Sequence, residues 1–233
     1  MPIFHNVGLG DPVVPEELTK PLNDGLPELL GDWIRAEGIT HVKLKLRGGD
    51  EAWDLKRILD IDTVASAAKQ GAADPTLYYS LDFNEQAGSA AYLLAFLRQL
   101  KERNEAAFGR IQYIEQPTSR NMVKDTASDM HEAAKLRPVV IDEALTDVES
   151  LRLARELGYT GCALKACKGQ SHAGGEDVSL RSGPHLPGRV SHPFRGDCRA
   201  RSRSGRDRGQ WAAVCPRGER GLEGALSRHL HGQ

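Results

Sequence analysis

Long apolar runs are missing from this chain of 233 residues. No segment approaches the length of a transmembrane helix. The first residues, Met1-Pro-Ile-Phe-His5, lack the basic and apolar regions of a signal peptide. Cysteine is scarce. Cys162, Cys167, Cys198 and Cys215 show neither metal-ligand spacing nor the look of a disulfide framework. The expected setting is therefore reducing and cytoplasmic. An excess of one charge is missing too. Thirty-one Lys and Arg against 32 Asp and Glu leave a net charge of −1, which gives no global argument for a nucleic-acid or membrane partner. A phosphate-cradling loop is also absent. Arg47-Gly-Gly-Asp50 has neither the Walker lysine nor a GxGxxG pattern.

What remains is a globular composition, 39% hydrophobic and 27% charged, with length for one large domain or two small ones. The composition breaks late in the chain. No lysine follows Lys168, and arginine becomes dense, as in Arg199-Ala-Arg-Ser-Arg-Ser-Gly-Arg-Asp-Arg208. Apolar periodicity fades beyond about Ala173.

Before the break, strand and helix patterns alternate. Strands are expected at 2–7, 40–46, 76–83, 111–114, 137–141 and 161–165. Helices are expected at 26–37, 51–69, 89–105, 126–134 and 147–157. Residues 8–24 form a Gly- and Pro-rich loop. Repeated βα units of this length predict an α/β fold with parallel strands. The chemically distinctive residues fall where strands end. In a βα barrel those ends form the active-site face. An open doubly wound sheet also binds ligands at carboxyl ends. The missing phosphate loop favours the barrel.

Three acids end successive strands: Asp82 in Tyr78-Tyr-Ser-Leu-Asp82, Glu115 in Ile111-Gln-Tyr-Ile-Glu115-Gln-Pro117, and Asp142 in Val139-Val-Ile-Asp142-Glu143. A carboxylate at the end of a buried strand is costly unless a cation meets it. Each acid alone could cap a helix. Three that converge repel one another and call for a dication, and oxygen-only donors favour a hard one such as Mg²⁺. Lys43 and Lys45, two apart on a strand, share a face. Val42, Leu44 and Leu46 need the opposite, helix-covered face. Lys165 approaches from the sixth strand, across the barrel. An inward lysine near other charges can act as a general base, and two on opposite sides of one carbon can exchange a proton with either face. Lys43 can equally serve only to neutralise the acids. His5 and Asn6, ending the first strand, are candidates to line the pocket or to be plain loop residues.

The set Lys43-Leu-Lys45, Leu81-Asp82-Phe-Asn84, Ile114-Glu115-Gln-Pro117, Ile141-Asp142-Glu143 and Ala163-Leu-Lys165-Ala-Cys-Lys168-Gly resembles the enolase superfamily, in its mandelate racemase/muconate lactonizing enzyme-like branch. The resemblance lies in the combination, since no single piece is specific. It implies a TIM-type (β/α) barrel, of which strands one to six are recognisable over residues 1–172. It implies Mg²⁺ on Asp82, Glu115 and Asp142. Lys45 and Lys165 become the acid/base pair, Lys43 supports Lys45, and Asn84, Glu143 and Lys168 stand behind the ligands. The implied reaction is removal of the proton alpha to a carboxylate of a small substrate, as in racemases, epimerases, cycloisomerases and dehydratases.

The chain departs from that pattern at both ends. The family's N-terminal capping domain is not recognisable, nor are barrel strands seven and eight. Residues 173–233 read as an out-of-frame tail without a native fold. Codons suitable for residues 178–195, read one nucleotide later, can spell an apolar strand and a helix start. On that reading the chain as given is a fragment and inactive. Two alternatives stand beside it. Lys165 could form a Schiff base, as in barrel lyases. The Arg199–Arg208 segment could be a basic nucleic-acid-binding arm on a non-catalytic fragment, although nothing upstream looks like a nucleic-acid module. Oligomeric state is left open, with a homo-oligomer compatible with the full-length protein.

Overall fold

The computed structural model describes residues 3–123 and 126–165. Lys168 and the 173–233 tail lie outside the described residues. Six strands form one sheet: β1 (Phe4–Val7), β2 (His41–Lys45), β3 (Tyr78–Asp82), β4 (Ile111–Glu115), β5 (Val139–Ile141) and β6 (Gly161–Cys162). They are parallel neighbours in strict chain order, β1-β2-β3-β4-β5-β6. An order without reversal has no switch point of the doubly wound kind. Crossovers of one hand that always step the same way put every helix on one face. The other face becomes the inside of a barrel wall. The α/β barrel-type architecture read from the sequence is the one found.

The helices are α1 (Leu30–Glu37), α2 (Glu51–Ala68), α3 (Ala90–Arg103), α4 (Glu105–Arg110), α5 (His131–Leu136) and α6 (Val148–Glu156). Side-chain caps start several of them. Asp50 accepts from Trp53 N, Ser89 from Tyr92 N, and Asp147 shares a capping box with Ser150. The apolar core lies between sheet and helices. Val42, Leu44, Leu81, Phe83, Ile114, Val139 and Ile141 are all fully buried there, facing Leu55, Ile58, Ile61, Leu93, Phe96 and Leu97. This is the face that the alternation in β2 assigned to the helices.

Three helices differ from the sequence pattern. The first begins at Leu30, because Leu29 is extended and residues 26–28 belong to the loop. The expected 89–105 helix ends at Arg103, and α4 follows directly. Asn104 breaks it: its side chain donates to Asp62 Oδ2 (3.0 Å) while its Oδ1 caps Ala107 N (2.9 Å). The fifth helix starts at His131 instead of Thr126. Ala127 O is taken by Ala90 N (2.7 Å), and Met130 N donates to Leu157 O (2.7 Å), so that turn is held by distant partners.

Candidate active site at the strand ends

The pleat sends alternate residues inward. In β2 these are His41, Lys43 and Lys45, in β3 Tyr78, Ser80 and Asp82, and in β4 Tyr113 and Glu115. The register sets Lys45 beside Asp82 and Asp82 beside Glu115, so one charged row crosses three strand ends. Asp142 and Lys165 follow β5 and β6 and extend the row.

The row is an alternation of cations and anions. Lys43 Nζ lies between Glu115 Oε2 (2.6 Å) and Asp82 Oδ2 (2.9 Å). Lys45 Nζ is 2.5 Å from the same Asp82 oxygen. Lys165 Nζ pairs with Asp142 Oδ2 and stands 3.8 Å from Glu115 Oε1. The carboxylates are buried, with side chains 1%, 3% and 1% exposed for Asp82, Glu115 and Asp142. The lysines reach solvent, at 20% for Lys43, 23% for Lys45 and 37% for Lys165. The acids are thus the fixed floor of the site, and the lysine tips are its accessible part.

Charge is shared unevenly along this floor. Burial works to raise Asp82, but Lys43 and Lys45 outweigh it and hold its carboxyl below the usual range. Burial pushes Glu115 up to about 7, with Asp142 and Asp82 adding to the effect against Lys43. Burial would lower Lys43, yet Glu115 and Asp82 raise it. Lys165 is likewise raised by Asp142 in spite of its burial. Glu115 is therefore less well compensated than Asp82. Among the described residues its Oε1 is buried without a hydrogen-bond donor.

Every candidate residue within the described part of the chain has a place in the fold. Lys43, Lys45, Asp82, Glu115, Asp142 and Lys165 come together at one end of the sheet. Asn84, with φ of +45°, is exposed, and its backbone N–H donates to Asp82 Oδ1 (2.8 Å). Glu143 is half-buried and raised by burial and by Asp142. Asn6 pairs in register with Lys43 and so shares the inner face. His5 does not: it lies on the helix side, with its ring 5.6 Å from that of Trp33. Lys168 lies outside the described residues.

Sequence reading passed over the residues that hold the loops. Asp54, fully buried on α2, accepts from Arg47 N (2.7 Å), Gly48 N (2.9 Å) and the Tyr92 hydroxyl (2.8 Å). Gly48 has φ of +75°, and a Cβ there would lie 2.3 Å from the Gln86 carbonyl carbon. The loop after Lys45 is thus pressed onto the loop after Asp82. Gln116 is fully buried with φ of +32°, and its amide spans the β4 and β5 ends. An acid at the fourth position of a helix after a Gly-Gly turn, and an amide between an acid and a proline, are faint signals. Only the fold shows what they bind.

The donor set suits a hard cation by two observations: every candidate donor is a carboxylate oxygen, and one of those oxygens is buried without a donor. As placed, no three His, Cys, Asp or Glu among the described residues are grouped to hold a metal ion. Lysine ammoniums take up the carboxylate oxygens instead. Among the same residues, no helix is long and apolar enough to cross a membrane.

No protein-family model matches the chain. An N-succinylamino acid racemase of Thermus thermophilus is 35% identical over 122 residues, 52% of this chain and 27% of the racemase. A mandelate racemase/muconate lactonizing protein from Herpetosiphon aurantiacus superposes with a TM-score of 0.53 at 24% identity, over 65% of this chain and 39% of that one. A mandelate racemase/muconate lactonizing enzyme from Roseiflexus sp. gives a TM-score of 0.52 at 25% identity, over 65% and 40%. The chain therefore spans about a quarter of the length of its curated relative and about two-fifths of those structures. Sequence and fold agree on one likeness: through the part that these matches cover, the chain is similar to racemases and mandelate racemase/muconate lactonizing enzymes, which supports the enolase-superfamily resemblance read from its motifs.

Proposed function

We propose that this strand-end site abstracts the proton alpha to a substrate carboxylate in a Mg²⁺-dependent racemisation or related isomerisation. One observation carries the reading. Lys45 on β2 and Lys165 after β6 pair with the two outer members of a floor of three buried acids, an arrangement that would put one amine on either side of a substrate seated over it.

Asp82, Glu115 and Asp142 would hold Mg²⁺, which, when bound, supplies positive charge beside the substrate carboxylate and lowers the cost of the negative charge that develops there. The rest falls to this chain's own residues. If Asp142 and Asp82 turned to the ion, Lys165 would lose its paired carboxylate and Lys45 would lose its own, freeing both amines for the substrate. A neutral Nζ takes the proton from one face of the alpha carbon. The opposite ammonium returns a proton to the other face. One proton leaves and one arrives, so configuration inverts without net change. Lys43, alone of the three lysines in pairing closely with two of the acids, Asp82 and Glu115, is suited to neutralising the floor. Asn84 and Glu143 act behind the acids, Asn84 through its N–H on Asp82.

The name of the Thermus relative makes an N-succinylated amino acid the first substrate to try. The test is wash-in of solvent deuterium at its alpha carbon, followed by NMR in D₂O with Mg²⁺ and with EDTA. It is run on this chain and on a version whose reading frame past residue 172 is restored. Exchange that EDTA stops is expected in the restored version. Absence of exchange in both proteins sinks the proposal. DNA sequencing tests the out-of-frame reading of 173–233 separately.

A further inference from the structure

We infer that Gln116 is a positioning residue for the candidate metal-binding acids, its buried amide fixing the distance between the Glu115 and Asp142 strand ends. The inference rests on the metal-binding reading above.

The sheet alone does not fix that distance. The register of β4 against β5 runs only through Ile114↔Val139 and Glu115↔Val140. Asp142 lies beyond it, where the chain turns away. Gln116 bridges the gap with every strong hydrogen-bonding group it has. Its backbone N–H donates to Val140 O (2.9 Å). Its side-chain Oε1 accepts from Asp142 N (2.9 Å) and Ala144 N (3.2 Å), and its Nε2 donates to Thr118 O (3.0 Å). Two N–H donors on one side and a carbonyl on the other admit a single orientation of the amide. The backbone carbonyl of Gln116 accepts from Glu85 N (3.0 Å), next to Asn84, whose N–H holds Asp82 Oδ1. Glu115 is its covalent neighbour. One residue thus touches the mounting of all three acids.

The backbone makes the choice of glutamine informative. A φ of +32° immediately before Pro117 is a conformation that residues with a Cβ avoid, and a following proline restricts them further. Glycine would meet the backbone demand at less strain. The side chain therefore accounts for the residue, and the side chain is fully buried and spent on the Asp142 and Ala144 peptides. Outer partners of metal ligands act in this way, by orienting groups that touch the ion.

The test compares the full chain with Gln116→Met, which keeps length and loses the amide, and with Gln116→Gly, which relieves the backbone and loses the amide. Binding of Mn²⁺, as a probe for Mg²⁺, is read by EPR at a temperature where circular dichroism shows each protein folded. Melting is followed separately without metal. The dissociation constant is expected to rise about 10–100-fold in both variants, including in the Gly variant whatever its melting temperature. If the Met variant does not fold, the Gly variant decides alone. Melting shifts with unchanged Mn²⁺ affinity overturn the inference and leave the metal reading intact. A parent chain that binds no Mn²⁺ overturns both.

Discussion

At the starts of β1, β2 and β3 the inner row is aromatic. Phe4, His41 and Tyr78 stand in register, with ring centroids 5.1 Å apart for Phe4–His41 and 4.8 Å for His41–Tyr78. At the ends of the same sheet the inner row is ionic, with Lys45, Asp82 and Glu115 in register and Asp142 and Lys165 beyond. The same pleat and the same parallel ladder carry both rows. The difference follows from what each end must do. Rings packed edge-on and tilted close one end, with His41 Nε2 as its one buried ring atom lacking a partner among the described residues. Paired charges at the other end cost desolvation and lie at the carboxyl ends of the strands, the end at which barrel folds carry their active sites.

Removing an amine from the ionic end gives the largest expected effect. Lys45→Met and Lys165→Met should each lower deuterium exchange by about 10²–10⁴-fold, the range for losing a positioned acid or base. On the proposed two-base arrangement each should suppress exchange from one enantiomer more than from the other. Equal losses for both enantiomers in both variants would contradict the assignment of sides. Next in size is the loop mounting. Gly48→Ala places a Cβ 2.3 Å from the Gln86 carbonyl carbon at φ of +75°. A stability loss of about 1–3 kcal/mol is expected from the strain, measured by urea unfolding, together with a displaced loop after Lys45. A change below a few tenths of a kcal/mol would mean that the two loops are not tightly joined.

The ionic row was legible because it is written in period two. Lys43 and Lys45 alternate with Val42, Leu44 and Leu46, so one face had to be apolar and the other charged. Asp82, Glu115 and Asp142 could be read as strand ends because apolar runs stop at them. The missed features are all long-range. The Ala- and Leu-rich pattern runs on through Asn104, and only its bond to Asp62, on another helix, breaks the helix there. The start of α5 is set by Ala90 and Leu157, distant in sequence. His5 sits one residue from the inward Asn6, and a strand of four residues gave no alternation strong enough to choose its face. Gln116 looked like filler between an acid and a proline until its partners on β5 were seen.

The two ends should also respond oppositely to pH. Glu115 has its folded pKa raised from 4.5 to about 7 by burial and neighbouring acids. Its contribution to stability is full below its unfolded pKa and is lost as pH rises through about 7. Without metal, Glu115→Gln should therefore be more stable than the parent at pH near 8, and the gap should close toward pH 5. Lys43 keeps Asp82 as a partner in that variant. The check is chemical denaturation with EDTA across this range. A variant less stable than the parent at high pH would show that the Lys43–Glu115 pair outweighs burial.

The smallest effect belongs to the aromatic end and has the opposite sign. Burial lowers His41 from 6.5, with Asp74 opposing, so the neutral ring is the favoured form. A folded pKa below the unfolded one means stability that is present above about 6.5 and lost as pH falls through the folded value. His41 Nδ1 meets Thr40 Oγ1 at 2.8 Å, and Nε2 is buried with no partner among the described residues. A proton on Nε2 would create a buried donor without an acceptor. His41→Phe keeps a ring between Phe4 and Tyr78 and removes the titration. Its free energy of unfolding in urea should match the parent's at pH 8 and exceed it by about 1 kcal/mol or less at pH 5. The parent's acid loss would persist unchanged in the variant if the slope came from the ionic end instead, through Asp82, whose lowered pKa also loses stability as pH falls. The His41 variant and the Glu115 variant together therefore separate the two ends: one flattens the acid limb, the other the alkaline limb, and neither should do both.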